Sequence, residues 1–264
     1  MVCLDAVTTA QEDAMNARQK QILSIVMKQG TVSNTVLSTL CGVTPETIRK
    51  DLNDLESLKL LERIHGGARI SGDYYCTDFD MRLHENYENK QRIAAYAASF
   101  IKNDDILFID AGTTTYLIHN YIPGNISFHL ITNSQYNINE YSHNTNVKVI
   151  SVGGLFDPNT NAYSGDISQL ALSQYNILSC FLSVAAISPR LGIMDTNSEH
   201  SRLIQIAKDK AKNCYILADS SKFNKIALIN LCPLCSGDTV ITDTGLNEDT
   251  RKELEAMGVN VYMV

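Results

Sequence analysis

The segment from Thr44 to Ala68 constrains the fold more than any other part of the sequence. Thr44 can cap a helix through its hydroxyl, and Pro45 has the backbone angle suited to a first helical turn. One buried stripe is predicted by apolar residues spaced by four and three positions, Ile48, Leu52 and Leu55. Residues 60–68 place a glycine pair between short strand-like runs, which predicts a tight hairpin. A capped helix followed by a small hairpin is typical of a winged helix.

Two more helices are expected before this segment. The first covers residues 16–28, and the second begins at Ser33 and closes at Gly42. We expect the second helix to turn three apolar side chains inward, Val36, Leu37 and Leu40. This arrangement predicts a helix-turn-helix whose third helix enters the major groove of DNA. Its polar face and the wing supply the candidate DNA contacts, Thr44, Thr47, Arg49, Lys50, Asn53, Arg63 and His65.

The distribution of charge supports a DNA-binding N-terminal module, although the whole chain carries a net charge of −7. Residues 16–70 contain eight Lys or Arg and five Asp or Glu, a net charge of +3, whereas residues 71–264 carry −7. Attraction to phosphates therefore belongs to the N-terminal module. Because its positive charge is small for holding DNA at physiological salt, we expect several copies to act together, as a homodimer or homotetramer.

Beyond a polar linker at residues 71–80, the sequence predicts a second domain over residues 81–264. A helix is expected at residues 86–101. Strand-like runs follow at 106–109, 128–131, 147–152, 178–187, 215–217 and 240–241. Helix-like segments lie near 168–174, 199–212 and 247–257. The alternation favours an α/β domain with a mainly parallel sheet.

Polar residues follow several of the predicted strands. Open α/β sheets bind ligands at the carboxyl ends of their strands, so we expect these residues to form a site. Glycine and three threonines follow Asp110 before an apparent helix, which suits a phosphate cradle. The candidate effector contacts are Lys90, Asp110, Gly112, Thr113, Thr114, Thr115, Thr132, Asn133, Ser134, Gly153, Gly154, Glu199 and Lys222. Such groups suit a phosphorylated sugar, although singly each could cap a helix or be solvated.

A series of motifs runs through both halves of the chain, at residues 47–52, 63–68, 90–94, 110–115, 131–134, 153–154, 219–223 and 241–243. In this order, from about Met15 to Asp243, they resemble the DeoR-type bacterial repressors of sugar metabolism. The resemblance implies a repressor that binds operator DNA and is released by a phosphorylated sugar. It also implies a sensor domain similar in fold to ribose-5-phosphate isomerase. Phosphate would then lie at Gly112 to Thr115, with Lys222 neutralising it or a sugar oxygen and Glu199 supplying an acidic group.

One strand departs from the family pattern and bears on the alternative functions. Ser183, Ala185 and Ala186 stand where many related chains have glycine or a polar or acidic residue. Isomerase chemistry needs a well-placed acid and base, so we expect a regulator rather than an enzyme. The alternatives are a sugar-phosphate isomerase with an appended DNA-binding module, and a winged helix that binds another protein.

No cofactor or metal ion is expected. Cys232 and Cys235 form the only close cysteine pair, and they fit two small apolar residues at a strand end better than a zinc or redox site. The sequence contains no apolar run of about 20 residues and no secretory signal, which predicts a cytoplasmic protein without a membrane partner. We expect residues 1–14 to be a disordered extension, or Met15 to be the true start.

Overall fold

The structure is a computed structural model that describes residues 15–29, 31–58, 60–70 and 78–264. The chain divides into two compact units, Met1–Glu85 and Asn86–Val264. The predicted extension at residues 1–14 lies outside the described residues, as do residues 71–77 of the predicted linker. The end of that linker is helical, because a helix begins at Asp78. No helix in the described ranges is both long enough and apolar enough to cross a membrane.

The N-terminal unit is a winged helix-turn-helix. Its elements are α1 (Ala17–Gln29), β1 (Thr31–Ser33), α2 (Asn34–Cys41), α3 (Pro45–Ser57), β2 (Leu61–Ile64), β3 (Gly67–Ile70) and α4 (Asp78–His84). The strands pair antiparallel in the order β1-β3-β2. This confirms the predicted fold. Strand β1 has three residues and is too short to give a periodic signal, which is why the sequence did not predict it.

Helix α3 begins and packs as its sequence predicts. The Thr44 hydroxyl accepts a hydrogen bond from the Thr47 amide at 3.3 Å, and Pro45 occupies the first turn. The side chains of the predicted stripe are fully buried, at Ile48, Leu52 and Leu55. Beside them, buried Asp51 accepts a hydrogen bond from Arg18 Nε at 2.6 Å, which ties α3 to α1. The opposite, polar face of α3 is left exposed.

The predicted inward face of α2 is wrong for two of its three residues. Val36 is 42% exposed and Leu40 is 51% exposed, whereas Leu37 is fully buried. The partly buried Cys41 packs against the same core as Leu37, four positions away. The contact stripe of this eight-residue helix therefore passes through positions 37 and 41 and excludes the parallel row at 36 and 40.

The C-terminal unit is an α/β domain. Its helices are α5 (Tyr87–Ala98), α6 (Thr113–Tyr116), α7 (Gln135–Ser142), α8 (Asp166–Ser173), α9 (Ser198–Lys210) and α10 (Glu248–Ala256). Its strands are β4 (Ile106–Ile109), β5 (Phe128–Thr132), β6 (Val147–Ser151), β7 (Leu155–Asp157), β8 (Ala162–Ser164), β9 (Ile177–Ser183), β10 (Ala186–Ser188), β11 (Gly192–Asp195), β12 (Ala211–Leu217), β13 (Ile229–Cys232), β14 (Thr239–Thr242) and β15 (Asn260–Met263).

Seven of these strands form one parallel sheet, in the order β15-β14-β12-β9-β4-β5-β6. The predicted mainly parallel α/β domain is confirmed. From β4 the chain continues to β5 and β6 on one side, whereas from β9 it continues to β12, β14 and β15 on the other. The direction of winding therefore reverses between β4 and β9. Ligands of open α/β sheets bind at such a reversal, outside the carboxyl ends of the strands.

The single strand predicted at residues 178–187 is two strands in different sheets. Strand β9 ends at Ser183, and β10 belongs to a separate antiparallel sheet in the order β10-β11-β13. The amide of Ser183 donates to the Asp110 carboxylate at 2.7 Å. The donor is the backbone amide of the last residue of β9, where the chain leaves the parallel sheet. The apolar residues at 178–187 predict a strand, but they do not reveal where that strand ends or which backbone amide bonds Asp110.

Candidate functional site

The predicted DNA-contacting residues share one exposed surface of the N-terminal unit. Six of them are exposed and Thr47 is half-buried: Thr44, Thr47, Arg49, Lys50, Asn53, Arg63 and His65. Those on α3 lie opposite its fully buried stripe. His65 lies in the turn between β2 and β3, beside Gly66 with a φ of 82°. The structure thus places the polar face of α3 beside the first strand of the wing, where Arg63 contacts Asn53.

Three hydrogen bonds hold side chains at the two ends of this surface. The Arg49 guanidinium donates to Glu46 Oε2 at 2.7 Å, and both side chains are mostly exposed. At the other end of α3, Arg63 donates to the Asn53 carbonyl oxygen, and the Arg63 amide donates to Glu56 at 2.8 Å. The second set joins α3 to the first strand of the wing. Asn53 and Arg63 therefore act as one unit that fixes the wing beside the helix.

In the C-terminal unit, Asp110 organises the edge where the winding reverses. Its carboxylate is fully buried at the end of β4. One oxygen accepts hydrogen bonds from the Gly112 amide at 3.0 Å and from the Thr115 hydroxyl, and the other accepts from the Ser183 amide at 2.7 Å. Burial raises the pKa of Asp110, and these donors oppose the rise. Asp110 thus joins the loop after β4 to the end of β9.

Close packing of Gly112 against Ser183 completes this junction. A Cβ at position 112 would overlap Cβ and Oγ of Ser183, so only glycine fits. The Thr115 amide lies 3.4 Å from Ser183 Oγ, and the Thr115 hydroxyl also lies 2.9 Å from the Gly112 carbonyl. Thr113 and Thr114 begin α6 and are almost fully buried. The predicted glycine-threonine loop is therefore a tight turn braced from within by Asp110 and Thr115.

The loop after β5 is linked to the loop after β4. The Thr132 hydroxyl donates to the Ile109 carbonyl at 2.6 Å, and Asn137 Nδ2 donates to the Asp110 carbonyl at 3.1 Å. Ser134 caps α7 by accepting from the Asn137 amide at 3.1 Å. Asn133 is fully buried, and its side-chain oxygen has no hydrogen-bond partner among the described residues. Such an atom marks a position where a ligand or ion can supply the missing contact.

Gly153 and Gly154 lie after β6 and pack against the start of α8. The Ser168 hydroxyl donates to the Gly153 carbonyl, and a Cβ at Gly154 would overlap Ser168 Oγ and the Ser164 carbonyl. Both glycines have positive φ values, 60° and 111°. Close packing and a positive φ thus account for Gly154, whereas the positive φ alone accounts for Gly153, where a Cβ would meet no atom within 4 Å.

The predicted cations lie on two segments that Asn86 joins. Lys90 lies on α5 and is 2% exposed, and the partly exposed Lys222 ends a 3-10 helix at Ser220–Lys222. Asn86, with a φ of 53°, directly precedes α5, and its amide lies 3.1 Å from Asp219 Oδ1 and 3.2 Å from Ser221 Oγ. The start of the Lys90 helix is therefore bonded to the loop that carries Lys222. Glu199 lies in the first turn of α9.

We expect Ser134→Ala to lower the free energy of unfolding by about 1 kcal/mol, because the buried Asn137 amide would lose its cap. Urea unfolding followed by circular dichroism measures this change. Ser142→Ala, at the exposed other end of α7, is the matched control and should change stability by less than about 0.5 kcal/mol. Equal effects of the two substitutions would contradict the capping role.

Sequence reasoning missed several residues that build this edge. Asn137 and Ser168 bond loops that are distant in the sequence, and Asp195 Oδ2 lies 2.7 Å from His200 Nδ1. None of them belongs to a motif with a known spacing, so only the fold reveals them. Ala185 bonds Met194 through its backbone and Ala186 is buried in β10, so neither offers a polar side chain. Among the described residues, no group of three or more His, Cys, Asp or Glu could hold a metal ion.

Comparison with protein families matches both units. Residues 18–72 match a model described as the DeoR-like helix-turn-helix domain. Residues 85–244 match a model described as the DeoR C terminal sensor domain. The two matches follow one another in the order that the sequence motifs predict, and the second spans more than half of the chain.

Curated relatives match over nearly their whole length. An L-fucose operon activator of Haemophilus influenzae is 32% identical over 91% of this chain and 97% of its own. The glycerol-3-phosphate regulon repressor of Escherichia coli is 27% identical, over 86% of this chain and 90% of its own. Among solved structures, a ribose 5-phosphate isomerase from Methanocaldococcus jannaschii is similar at 15% identity and a TM-score of 0.38, over 52% of this chain and 55% of that one. The chain belongs to the DeoR family of helix-turn-helix transcriptional regulators.

Proposed function

We propose that this regulator binds operator DNA of a carbohydrate-utilisation operon and that a phosphorylated sugar controls the binding. The observation that carries the proposal is the junction at the reversal of winding, where Asp110 joins the Gly112 turn to the end of β9. That position is where open α/β sheets bind ligands. Relatives named for L-fucose, aga and glycerol-3-phosphate genes support a carbohydrate-derived effector.

The chemistry of the edge suits an anionic, hydroxyl-bearing ligand. Lys90 and Lys222 would supply positive charge, and the turn at Gly112 would bring the backbone amides of Thr113 and Thr114 close to a phosphate. The Asn133 side-chain oxygen, buried and unpartnered among the described residues, would accept a hydrogen bond from a sugar hydroxyl. In this proposal Asp110, Thr115 and Thr132 position the loops, because their polar atoms already bond within the protein.

On the DNA side, we propose that α3 reads the major groove. Arg49 and Lys50 would contact guanine edges or phosphates, Thr44 and Thr47 would contact phosphates or a thymine methyl, and Asn53, Arg63 and His65 would contact bases or backbone near the wing. The N-terminal module has a net charge of only +3. A homodimer or homotetramer that presents paired modules to paired half-sites would supply the affinity that one copy lacks.

For a sugar phosphate to control transcription, its binding to the sensor domain must change the affinity of the regulator for its operator. A coupling free energy of about 1 to 3 kcal/mol changes the affinity roughly 5- to 150-fold. The relatives of this chain include both an activator and repressors, so either sign of regulation is compatible with the same two sites. We favour repression relieved by the effector. An isomerase activity is not proposed, because Ala185 and Ala186 leave that strand end without an acid or base.

Thermal denaturation of the full chain with a panel of sugar phosphates tests the sensor. A ligand present at 100 times its dissociation constant should stabilise the sensor by about 2.7 kcal/mol, and its unphosphorylated counterpart serves as the matched control. Electrophoretic shift with DNA upstream of the chain's own gene tests the other site, with and without that ligand. Stabilisation by no phosphorylated sugar, or operator binding that ignores the stabilising ligand, would contradict the proposal.

A further inference from the structure

His200 lies at the same edge of the sheet as the Gly112 turn. Helix α9 runs directly into β12 without an intervening residue, so its last turn lies at the amino end of that strand. A helix that covers a parallel sheet runs antiparallel to the strands, and its first turn therefore lies at their carboxyl ends. His200 is the third residue of α9. Backbone contacts place it near the Asp110 junction: the Ala185 amide, two residues after Ser183, donates to the Met194 carbonyl at 3.1 Å, and the next residue, Asp195, contacts His200. A protonated His200 is accordingly one of the causes that oppose the rise in the pKa of Asp110.

A carboxylate fixes the imidazole in place. His200 Nδ1 lies 2.7 Å from Asp195 Oδ2, and the side chains are 20% and 13% exposed. The other oxygen of Asp195 accepts a hydrogen bond from the Thr196 amide at 2.6 Å. Burial raises the pKa of Asp195, but the bond to His200, its charge and two backbone amides outweigh burial, and the net shift is downward. Asp195 therefore remains a carboxylate.

The contact with Asp195 favours a positive charge on His200, although the first turn of a helix disfavours a cation. The first turn of a helix repels a cation, because the helix dipole is positive there. A buried neighbouring carboxylate favours the protonated imidazole and offsets that repulsion. Two carboxyl groups of described residues thus act on His200, Asp195 from β11 at bonding distance and Asp110 from the end of β4. The Asp195 bond also orients the ring, as a second partner does for many functional histidines.

We propose that His200 is a cationic contact for the anionic group of the sensor's ligand and that Asp195 is its positioning residue. This inference rests on the proposed function, since it assigns a further residue to the same ligand site. A protonated imidazole forms a charge-assisted hydrogen bond to a phosphate or sulfate oxygen. Neither sequence motifs nor the family resemblance assigns His200 or Asp195 to the site.

Sulfate is the probe that separates the protein's titration from the ligand's, because sulfate stays a dianion from pH 5 to 8. Isothermal titration of the full chain with sulfate should show affinity that falls as the pH rises, since a neutral imidazole no longer attracts the anion. His200→Asn should bind sulfate roughly 10-fold more weakly at pH 6 and lose the pH dependence. His143→Asn, an exposed histidine at the end of α7, is the matched control and should change neither property.

Asp195→Asn tests the positioning role separately. Without the carboxylate the imidazole loses its proton at lower pH, so the fall in sulfate affinity should move to lower pH while binding at pH 5 is largely retained. A residue that served only to pack the loop would weaken binding equally at every pH. Asp195→Asn also decides the question if His200→Asn does not fold, as judged by circular dichroism and thermal denaturation.

The possible outcomes separate the two proposals. If the wild-type chain binds neither sulfate nor any phosphorylated sugar, the proposed function itself fails, and this inference fails with it. If the wild type binds and His200→Asn keeps both affinity and pH dependence, only the role of His200 is overturned. An Asp195→Asn profile that coincides with the wild-type profile would overturn the role of Asp195.

Discussion

Gly112→Ala is expected to abolish the response to the effector while leaving operator binding in place. The new Cβ would overlap Cβ and Oγ of Ser183, and it would lie 3.1 Å from Asp110 Oδ1. The turn after β4 and the end of β9 must then separate, which weakens the amide bonds to Asp110 at 3.0 Å and 2.7 Å. Overpacking of this kind costs about 1–3 kcal/mol of stability. Thermal denaturation measures the loss of stability, and electrophoretic shift with and without sugar phosphate measures operator binding and its response to the effector.

A second substitution distinguishes a local clash from general damage. Gly112 has a φ of −88°, an angle that alanine also adopts, so the expected defect comes only from the neighbouring side chain. Ser183→Gly removes that side chain, and the double variant Gly112→Ala, Ser183→Gly should recover much of the stability that the single variant loses. The two positions are in contact, so their effects should not add. Additive losses, or a single variant with a normal effector response, would contradict the proposed ligand position.

The recognition helix could be predicted because its signals are local. The cap at Thr44, the proline after it and the stripe at Ile48, Leu52 and Leu55 all lie within twelve residues, and every one appears in the structure. The prediction of the inward face of α2 was wrong because it depends on packing, which is not a local signal. Val36 and Leu40 repeat with helical spacing, but that helix buries the row through Leu37, and which row meets the core depends on how α2 packs against its neighbours.

The edge of the parallel sheet where the site lies could be located from the sequence, but the hydrogen bonds that join its loops could not. Strand-end chemistry pointed to Asp110 because ligands of open sheets bind there. Besides its neighbours Gly112 and Thr115, Asp110 bonds the backbone amide of Ser183, 73 residues away, and an amide carries no side-chain signal. His200 and Asp195 are only five residues apart, but they form a pair because the chain turns between the end of β11 and the start of α9. Backbone donors, and contacts that depend on how the chain turns, therefore account for most of what the sequence did not show.

Arg49→Ala is expected to weaken specific operator binding about 10- to 100-fold without destabilising the fold. Arg49 lies on the exposed face of α3, and a well-placed arginine contributes about 1–3 kcal/mol of discrimination at a guanine. Its bond to Glu46 at 2.7 Å is an exposed ion pair, with side chains 51% and 68% exposed. Such a pair contributes little to stability, so its loss should leave thermal denaturation unchanged. Electrophoretic shift with operator and unrelated DNA measures the loss.

The contact between Arg49 and Glu46 leads to a second prediction, in which a substitution of Glu46 strengthens operator binding instead of weakening it. In free protein Glu46 competes with DNA for the Arg49 guanidinium, and its negative charge repels phosphates. Glu46→Gln should therefore strengthen operator binding, most clearly at low salt, because long-range repulsion is then least screened. Arg251→Ala removes an arginine from α10 and serves as the charge-matched control, with little change expected. If Arg49→Ala keeps wild-type specificity, or Arg251→Ala weakens binding as much, α3 does not read the operator through Arg49.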